Sequence, residues 1–210
     1  MQRTGFNPAE VGSRPFYRLL TALVVPRPIA WVSTTSATGV HNLAPHSFFT
    51  VSCVDPPIVQ FTSVGRKDSL RNIEATKEFV VNFATESLFT QINATATDFP
   101  SDVSEFDAVG LDREASLLVA PPRVAASPAA LECQLHSTLE LGDSVVVFGQ
   151  VVHAAVACDV LDGNHPLISR LRPLSRLGLD EWGEPPQARR ISRIAYREWP
   201  GHYDVGVTTT

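Results

Sequence analysis

The sequence predicts a mainly β fold with short helices, an antiparallel sheet closed into a barrel, and three observations carry that prediction. The longest patterned stretch is a strand, turn and strand: Ala130 to Leu141 alternates apolar and polar side chains, Gly142-Asp143 makes the turn, and Ser144 to Val156 returns as a long apolar strand. Segments with helical spacing are few and short. Strands of that length expose unpaired backbone at any free edge, and closure into a barrel removes the edges.

In chain order, Ser13 to Val24 places Phe16, Leu19, Leu20 and Leu23 at helical spacing behind a Ser13 cap, with Pro15 in the first turn. Pro26 and Pro28 stop this helix. Ile29 to Thr34 then reads as a strand that turns at Thr38-Gly39 and returns from Val40 to Val51 as one hairpin partner. After the Asp55-Pro56-Pro57 break, Ile58 to Thr62 is the third strand and Asp68 to Ala75 a short helix with Leu70 and Ile73 inward. Glu78 to Phe83 is the fourth strand. Ser87 to Thr97 reads as a helix with Leu88, Ile92 and Thr95 on one face. The acidic stretch Asp98 to Glu114 reads as a solvated loop with a helical turn near Ser104 to Val109, since it lacks the glycine and oxygen-ligand spacing of a calcium loop. Beyond Asp162 the chain is rich in proline and arginine. Leu174 to Trp182 is expected to pack back on the barrel, and the stretch after Pro185 to run as a tail over the surface or onto a partner subunit. There is no internal repeat.

Composition narrows the function. At 210 residues and 44% apolar content the chain can bury one sizeable core, so one domain is expected. A net charge of −5 argues against a general nucleic-acid or anionic-membrane surface, which needs a broad basic face. Any anion must meet a local basic patch. Cys53, Cys133 and Cys158 are odd in number and widely spaced, which fits buried thiols in a reducing compartment and no metal site. Cys133 and His136 are three apart on a strand and point to opposite faces, a poor metal pair. With neither an apolar run long enough to span a bilayer nor the apolar stretch of a signal peptide, a cytoplasmic protein is expected.

The richest chemistry lies between Pro26 and Phe83. Arg66, Lys67 and Ser69 stand where a strand gives way to the Asp68 helix, so two cations and a hydroxyl meet a helix start that favours anions. An ordinary N-cap with solvated cations is the alternative. Asn42, Ser47, Phe48 and Phe49 lie on the returning strand, where period-2 alternation puts Ser47 and Phe49 on one face and Phe48 on the other. Core phenylalanines and a turn asparagine are the alternative there. His46, beside them, is placed to donate to a bound substrate, although strand histidines are more often packed or solvated. His136 and His153 are assigned no role.

The order of motifs resembles the flavin reductase-like FMN-binding split-barrel family. It rests on Arg27-Pro28-Ile29-Ala30-Trp31-Val32-Ser33-Thr34, Asn42 to Phe49, Asp55-Pro56-Pro57 and Lys67-Asp68-Ser69-Leu70-Arg71-Asn72-Ile73. Further matches are Glu78 to Asn82, Ser127 to Cys133 and Pro173 to Gly178. The resemblance covers about Leu20 to Gly178. It implies a Greek-key antiparallel split β-barrel, a homodimer with FMN at its interface, and domain limits of 13–178 with a C-terminal extension over 179–210. It carries Ser47, Phe48 and Phe49 to the flavin ring and ribityl chain and Arg66, Lys67 and Ser69 to the phosphate. Thr34, Asn42, Asn82 and Arg176 follow as cofactor contacts. Where family members often read Leu-Gly-Gly-x-x-Tyr, this chain has Leu177-Gly178-Leu179-Asp180-Glu181-Trp182, which reshapes the cavity over the flavin.

The resemblance implies an NAD(P)H-dependent flavin reductase, with NADH or NADPH as hydride donor and a monooxygenase or other redox partner as recipient. No G-x-G-x-x-G fingerprint identifies the donor. A flavin carrier without nicotinamide activity, and the same barrel with another ligand, remain the alternatives.

Overall fold

The computed structural model describes residues 1–199. Seven strands form its main sheet: β1 (Ala30–Thr35), β2 (His41–His46), β3 (Phe49–Cys53), β4 (Ile58–Val64), β5 (Glu78–Phe83), β6 (Ala129–Leu141) and β7 (Ser144–Val156). Every pairing is antiparallel, and the order across the sheet is β2-β1-β5-β6-β7-β4-β3. The two edge strands are consecutive in the chain. Only Ser47 and Phe48 separate them, so a link about 11 Å long at most joins opposite edges of a seven-stranded ribbon. The sheet must therefore curl until its edges meet. At the join the Thr62 amide donates to the Phe48 carbonyl at 2.9 Å, and the His46 ring lies 4.5 Å from that of Phe61.

This corrects the expected single strand from Val40 to Val51, which is broken at Ser47-Phe48. Pro45 has no N–H to give a further ladder, and it accordingly sits on an edge strand, paired on one side with Trp31.

Period-2 alternation sends the β1 side chains into two cores. Ala30 and Val32 face the barrel interior with Phe61, Phe79, Val81 and Val147, and the Asp68–Thr76 helix closes that interior with Leu70 and Ile73. Trp31 faces outward into a second cluster with Leu43, Leu88, Ile92 and Phe106. Its indole N–H donates to Thr95 Oγ1 at 2.9 Å, which ties the outer layer to the barrel wall.

Several helices differ from expectation. The first runs Ser13–Leu23, but Gly12 is its N-cap, and Leu20 and Leu23 are exposed, with Thr21 the buried residue. The expected Ser87–Thr97 helix is a 3-10 turn, Glu86–Leu88, followed by a short α-helix, Phe89–Ala94. Thr95 ends it by donating its hydroxyl back to the Ile92 carbonyl, the local competition that makes threonine a weak helix former. Near Ser104, the expected turn is present as Glu105–Ala108. The two-residue strand Trp182–Gly183 pairs with Ser175–Arg176, which pairs with Arg27–Pro28, so the chain beyond Gly178 is still tied to the barrel entrance. Residues 200–210 of the expected extension lie outside the described residues.

Gly149 sits buried at a β6/β7 register shift, where a Cβ would overlap the Phe79 ring and lie 3.2 Å from Cys133 Cβ. Gly149→Ala is expected to cost about 1–3 kcal/mol by overpacking, read as a lower urea midpoint with unchanged slope. An unchanged midpoint would mean that the Phe79 ring moves freely.

Candidate functional site

A cleft of about 490 Å³ opens where the sheet edges meet. The Ser47-Phe48 link, the end of β4 at Thr62 to Val64, the start of the Asp68–Thr76 helix and the Thr95 to Phe99 segment surround it. Tyr17, from the Ser13–Leu23 helix, lies edge-on to Phe48 with ring centroids 6.3 Å apart and makes an aromatic wall.

The helix start is the cleft's anion-favouring end. Lys67 is its N-cap residue and makes no side-chain cap hydrogen bond, while Asp68 pairs with Arg71. The first-turn N–H groups are thus uncapped by a side chain, and Lys67, Asp68 and Ser69 all border the cleft. The three nearby cations each hold a carboxylate: Arg66 pairs with Glu74 and lies 3.6 Å from Glu140, Arg71 pairs with Asp68, and Lys67 Nζ meets Asp98 Oδ1 at 2.8 Å.

Beneath this end runs a buried polar chain. Ser69 Oγ donates to Asn42 Oδ1 at 2.9 Å, and Asn42 Nδ2 donates to Glu105 Oε1 at 2.6 Å. The Leu43 amide donates to Glu105 Oε2 at 2.8 Å. Thr34 joins from behind, accepting from Asn72 Nδ2 at 3.0 Å with its own hydroxyl 3.4 Å from Asn42 Oδ1. Burial raises the Glu105 carboxyl above its ordinary range, opposed by the Leu43 and Asn42 hydrogen bonds and reinforced by the charge of Asp68. His46 Nε2 lies 3.4 Å from Ser69 Oγ. Desolvation of its ring, with Lys67 adding to it against a hydrogen bond to the Thr62 backbone, lowers His46 to about 4. At neutral pH this ring carries no charge.

The structure therefore brings Asn42, His46, Ser47, Phe48, Arg66, Lys67 and Ser69 to one cleft. The other four residues stand elsewhere. Thr34 is one hydrogen bond behind the wall. Phe49 packs on the barrel core, and Asn82 is buried, donating to the Trp31 carbonyl and accepting from the Val124 amide. Arg176 lies over the Trp182 ring at 4.8 Å and donates to the Leu179 carbonyl. Sequence reasoning missed Tyr17, Arg71, Asp98 and Glu105. The acidic stretch was expected to be a solvated surface, whereas Glu105 is buried and Asp98 borders the cleft. The one available signal was Phe106, an aromatic that needs burial inside an acidic run.

Comparison with known proteins now decides the family. The family model for the flavin reductase like domain matches residues 22–172. The chain belongs to the flavin reductase like family. Membership places it among flavin-related oxidoreductases. Nitrilotriacetate monooxygenase component B from Bacillus cereus is 30% identical, with a TM-score of 0.87 over 91% of this chain and 100% of the other. The 2-nitrobenzoate 2-nitroreductase of Pseudomonas fluorescens is 28% identical, with a TM-score of 0.86 over 92% and 98%. A Shewanella frigidimarina protein with a split barrel domain gives 0.83 over 91% and 100% at 19% identity, a likeness of fold alone. The expected split-barrel architecture and family are thereby established. Among the described residues, no helix is long and apolar enough to cross a membrane, and no three His, Cys, Asp or Glu residues cluster as a metal site.

Glu105→Ala leaves two buried donors, Asn42 Nδ2 and the Leu43 amide, without their acceptor, and is expected to cost about 2–4 kcal/mol in urea unfolding. Glu105→Gln isolates the charge. Because folding favours the neutral carboxyl, its contribution is fully present below the ordinary value of 4.5 and is lost as pH rises through the raised one. The stability of the wild type relative to Glu105→Gln should fall across that window. A difference that stays flat would contradict the burial of this carboxylate.

Proposed function

We propose that the chain is an FMN-dependent NAD(P)H:flavin oxidoreductase that works in the cytoplasm as a homodimer and passes reducing equivalents to a separate monooxygenase or other redox partner. The observation that carries the reading is the uncapped helix start with Lys67, facing an aromatic-walled cleft in a chain of this family. The cleft's 490 Å³ falls within the roughly 300–1,000 Å³ of small-molecule sites. The residues present fit a phosphorylated aromatic group: Lys67 and the first-turn N–H groups would hold the phosphate, and Tyr17 and Phe48 would pack on the ring system. The Ser69 hydroxyl proton is committed to Asn42 Oδ1, so Ser69 contributes chiefly through its backbone N–H.

When bound, FMN supplies the ring that accepts hydride from a nicotinamide and returns two electrons to an acceptor. The chain's own residues bind, orient and exclude water. His46, neutral at pH 7, offers a hydrogen bond without adding charge, and its contact with Phe61 seals the barrel side of the cleft. Exposed Val64 and Leu141 flank Ser144 on neighbouring strands, and Leu139, Val51 and Val54 are exposed as well. Such apolar surface supports a second copy of this chain as the covering partner. The monooxygenase role draws on the likeness to a monooxygenase component B.

Titration with FMN and riboflavin, then anaerobic mixing with NADH and with NADPH, tests the reading. Saturable FMN uptake and rapid bleaching by one donor are expected; absence of bleaching with both would leave a flavin carrier instead. Lys67→Gln should weaken FMN by about tenfold or more, the worth of a charge-assisted hydrogen bond, and riboflavin by less than about twofold. Equal losses would remove the phosphate from this end of the cleft.

A further inference from the structure

Of the four carboxylates that hold the cations around the cleft, Glu140 stands on β6 and shares Arg66 at 3.6 Å, and two belong to the same local structure as their partners. Asp68 and Glu74 both lie on the helix that starts at the cleft, so their pairs with Arg71 and Arg66 can persist whatever occupies it. Asp98 is different. It comes from the segment after the Phe89–Ala94 helix, thirty-one residues along the chain from Lys67, and reaches across the cleft to meet Nζ at 2.8 Å. The base of its segment is fixed, because Thr95 is buried between the Trp31 indole N–H and the Ile92 carbonyl. Its tip faces solvent: the Asp98 side chain is 87% exposed, with Lys67 as its hydrogen-bond partner.

We propose that Asp98 is a specificity-determining residue that stands in for the ligand's phosphate on Lys67 and must leave before a phosphorylated flavin can seat. This rests on the flavin reading above. Lys67 cannot give its full charge both to a carboxylate at 2.8 Å and to an incoming phosphate, and two anions sharing one ammonium repel each other. The Lys67 contact holds the Asp98 carboxyl below its ordinary range, so Asp98 is ionised and competes at neutral pH. A ligand without the phosphate has no need to displace it. Asp98 therefore weakens FMN selectively, which favours a flavin that exchanges over one that stays. Because the pair is exposed, the competition is modest and salt-sensitive.

The test measures FMN and riboflavin dissociation constants for the wild type, Asp98→Asn, Lys67→Gln and the double variant at low and high salt. Asp98→Asn should tighten FMN about three- to tenfold at low salt with riboflavin unchanged within about twofold, and the gain should vanish in the Lys67→Gln background, as pairwise coupling requires. Tightening of both ligands alike, persistence of the gain without Lys67, or no change in FMN affinity would each overturn the proposal. Failure of the wild type to bind either flavin would instead sink the flavin reading. Asp98 is exposed and Asn is nearly isosteric, so folding does not confound the comparison.

Discussion

Two residues join opposite edges of a seven-stranded sheet, and most of what this chain can do follows from that short link. A ribbon whose first and last strands are consecutive in sequence can pair its edges only by curling through nearly a full turn. Ser47 and Phe48 are too short a bridge to allow anything else. The same link cannot itself complete a regular ladder, so the barrel wall opens there, and the opening is the cleft. Closure and site thus have one cause. The Asp68–Thr76 helix follows from it: a barrel interior sealed by Leu70 and Ile73 brings that helix's first turn to the opening.

The polar layer under the cleft solves a problem the closure creates. Asn42 and Ser69 are buried at the join, where an unpaired amide or hydroxyl would cost stability, and Glu105 supplies the acceptor that completes their chain. A carboxylate taking two N–H donors fixes the Asn42 amide with its oxygen toward Ser69. The price is a buried charge beside Asp68, which is why the carboxyl is pushed upward. Rigid polar floor, aromatic wall and exchangeable ion pair at the mouth are then three different kinds of constraint on one cavity.

Much of this was legible in the residues. The β6/β7 hairpin, the helix start at Lys67 and the inward Leu70 and Ile73 are local patterns, and local patterns survive folding. What was not legible depends on long-range pairing. Alternation alone cannot report that Val40 to Val51 changes partners midway, because each half keeps its own period of two. Glu132 reads as an outward polar residue on an alternating strand, yet it is fully buried, accepting from the Leu117 and Leu118 amides with His153 Nδ1 at 3.2 Å. Strands covered on both faces defeat the inference from polarity to exposure. Glu105 and Asp98 were hidden for a related reason: an acidic run looks solvated until a distant asparagine or lysine claims individual carboxylates.

The segment Leu177 to Trp182 shows the same coupling of local cost to distant contact. Leu179 holds φ at 49°, the left-handed region that glycine occupies freely and that costs a leucine about 1–2 kcal/mol. Arg176 sustains it by donating to the Leu179 carbonyl while its guanidinium lies over the Trp182 ring, which makes a T-shaped pair with Phe89, centroids 5.0 Å apart. Phe89 opens the short helix that leads to Thr95 and then to Asp98. The Trp182 indole is therefore packed through that helix to the segment at the cleft mouth. Arg176 is thereby committed to holding a strained turn and an aromatic stack, and in the single chain its bearing on the cleft runs through Trp182 and Phe89.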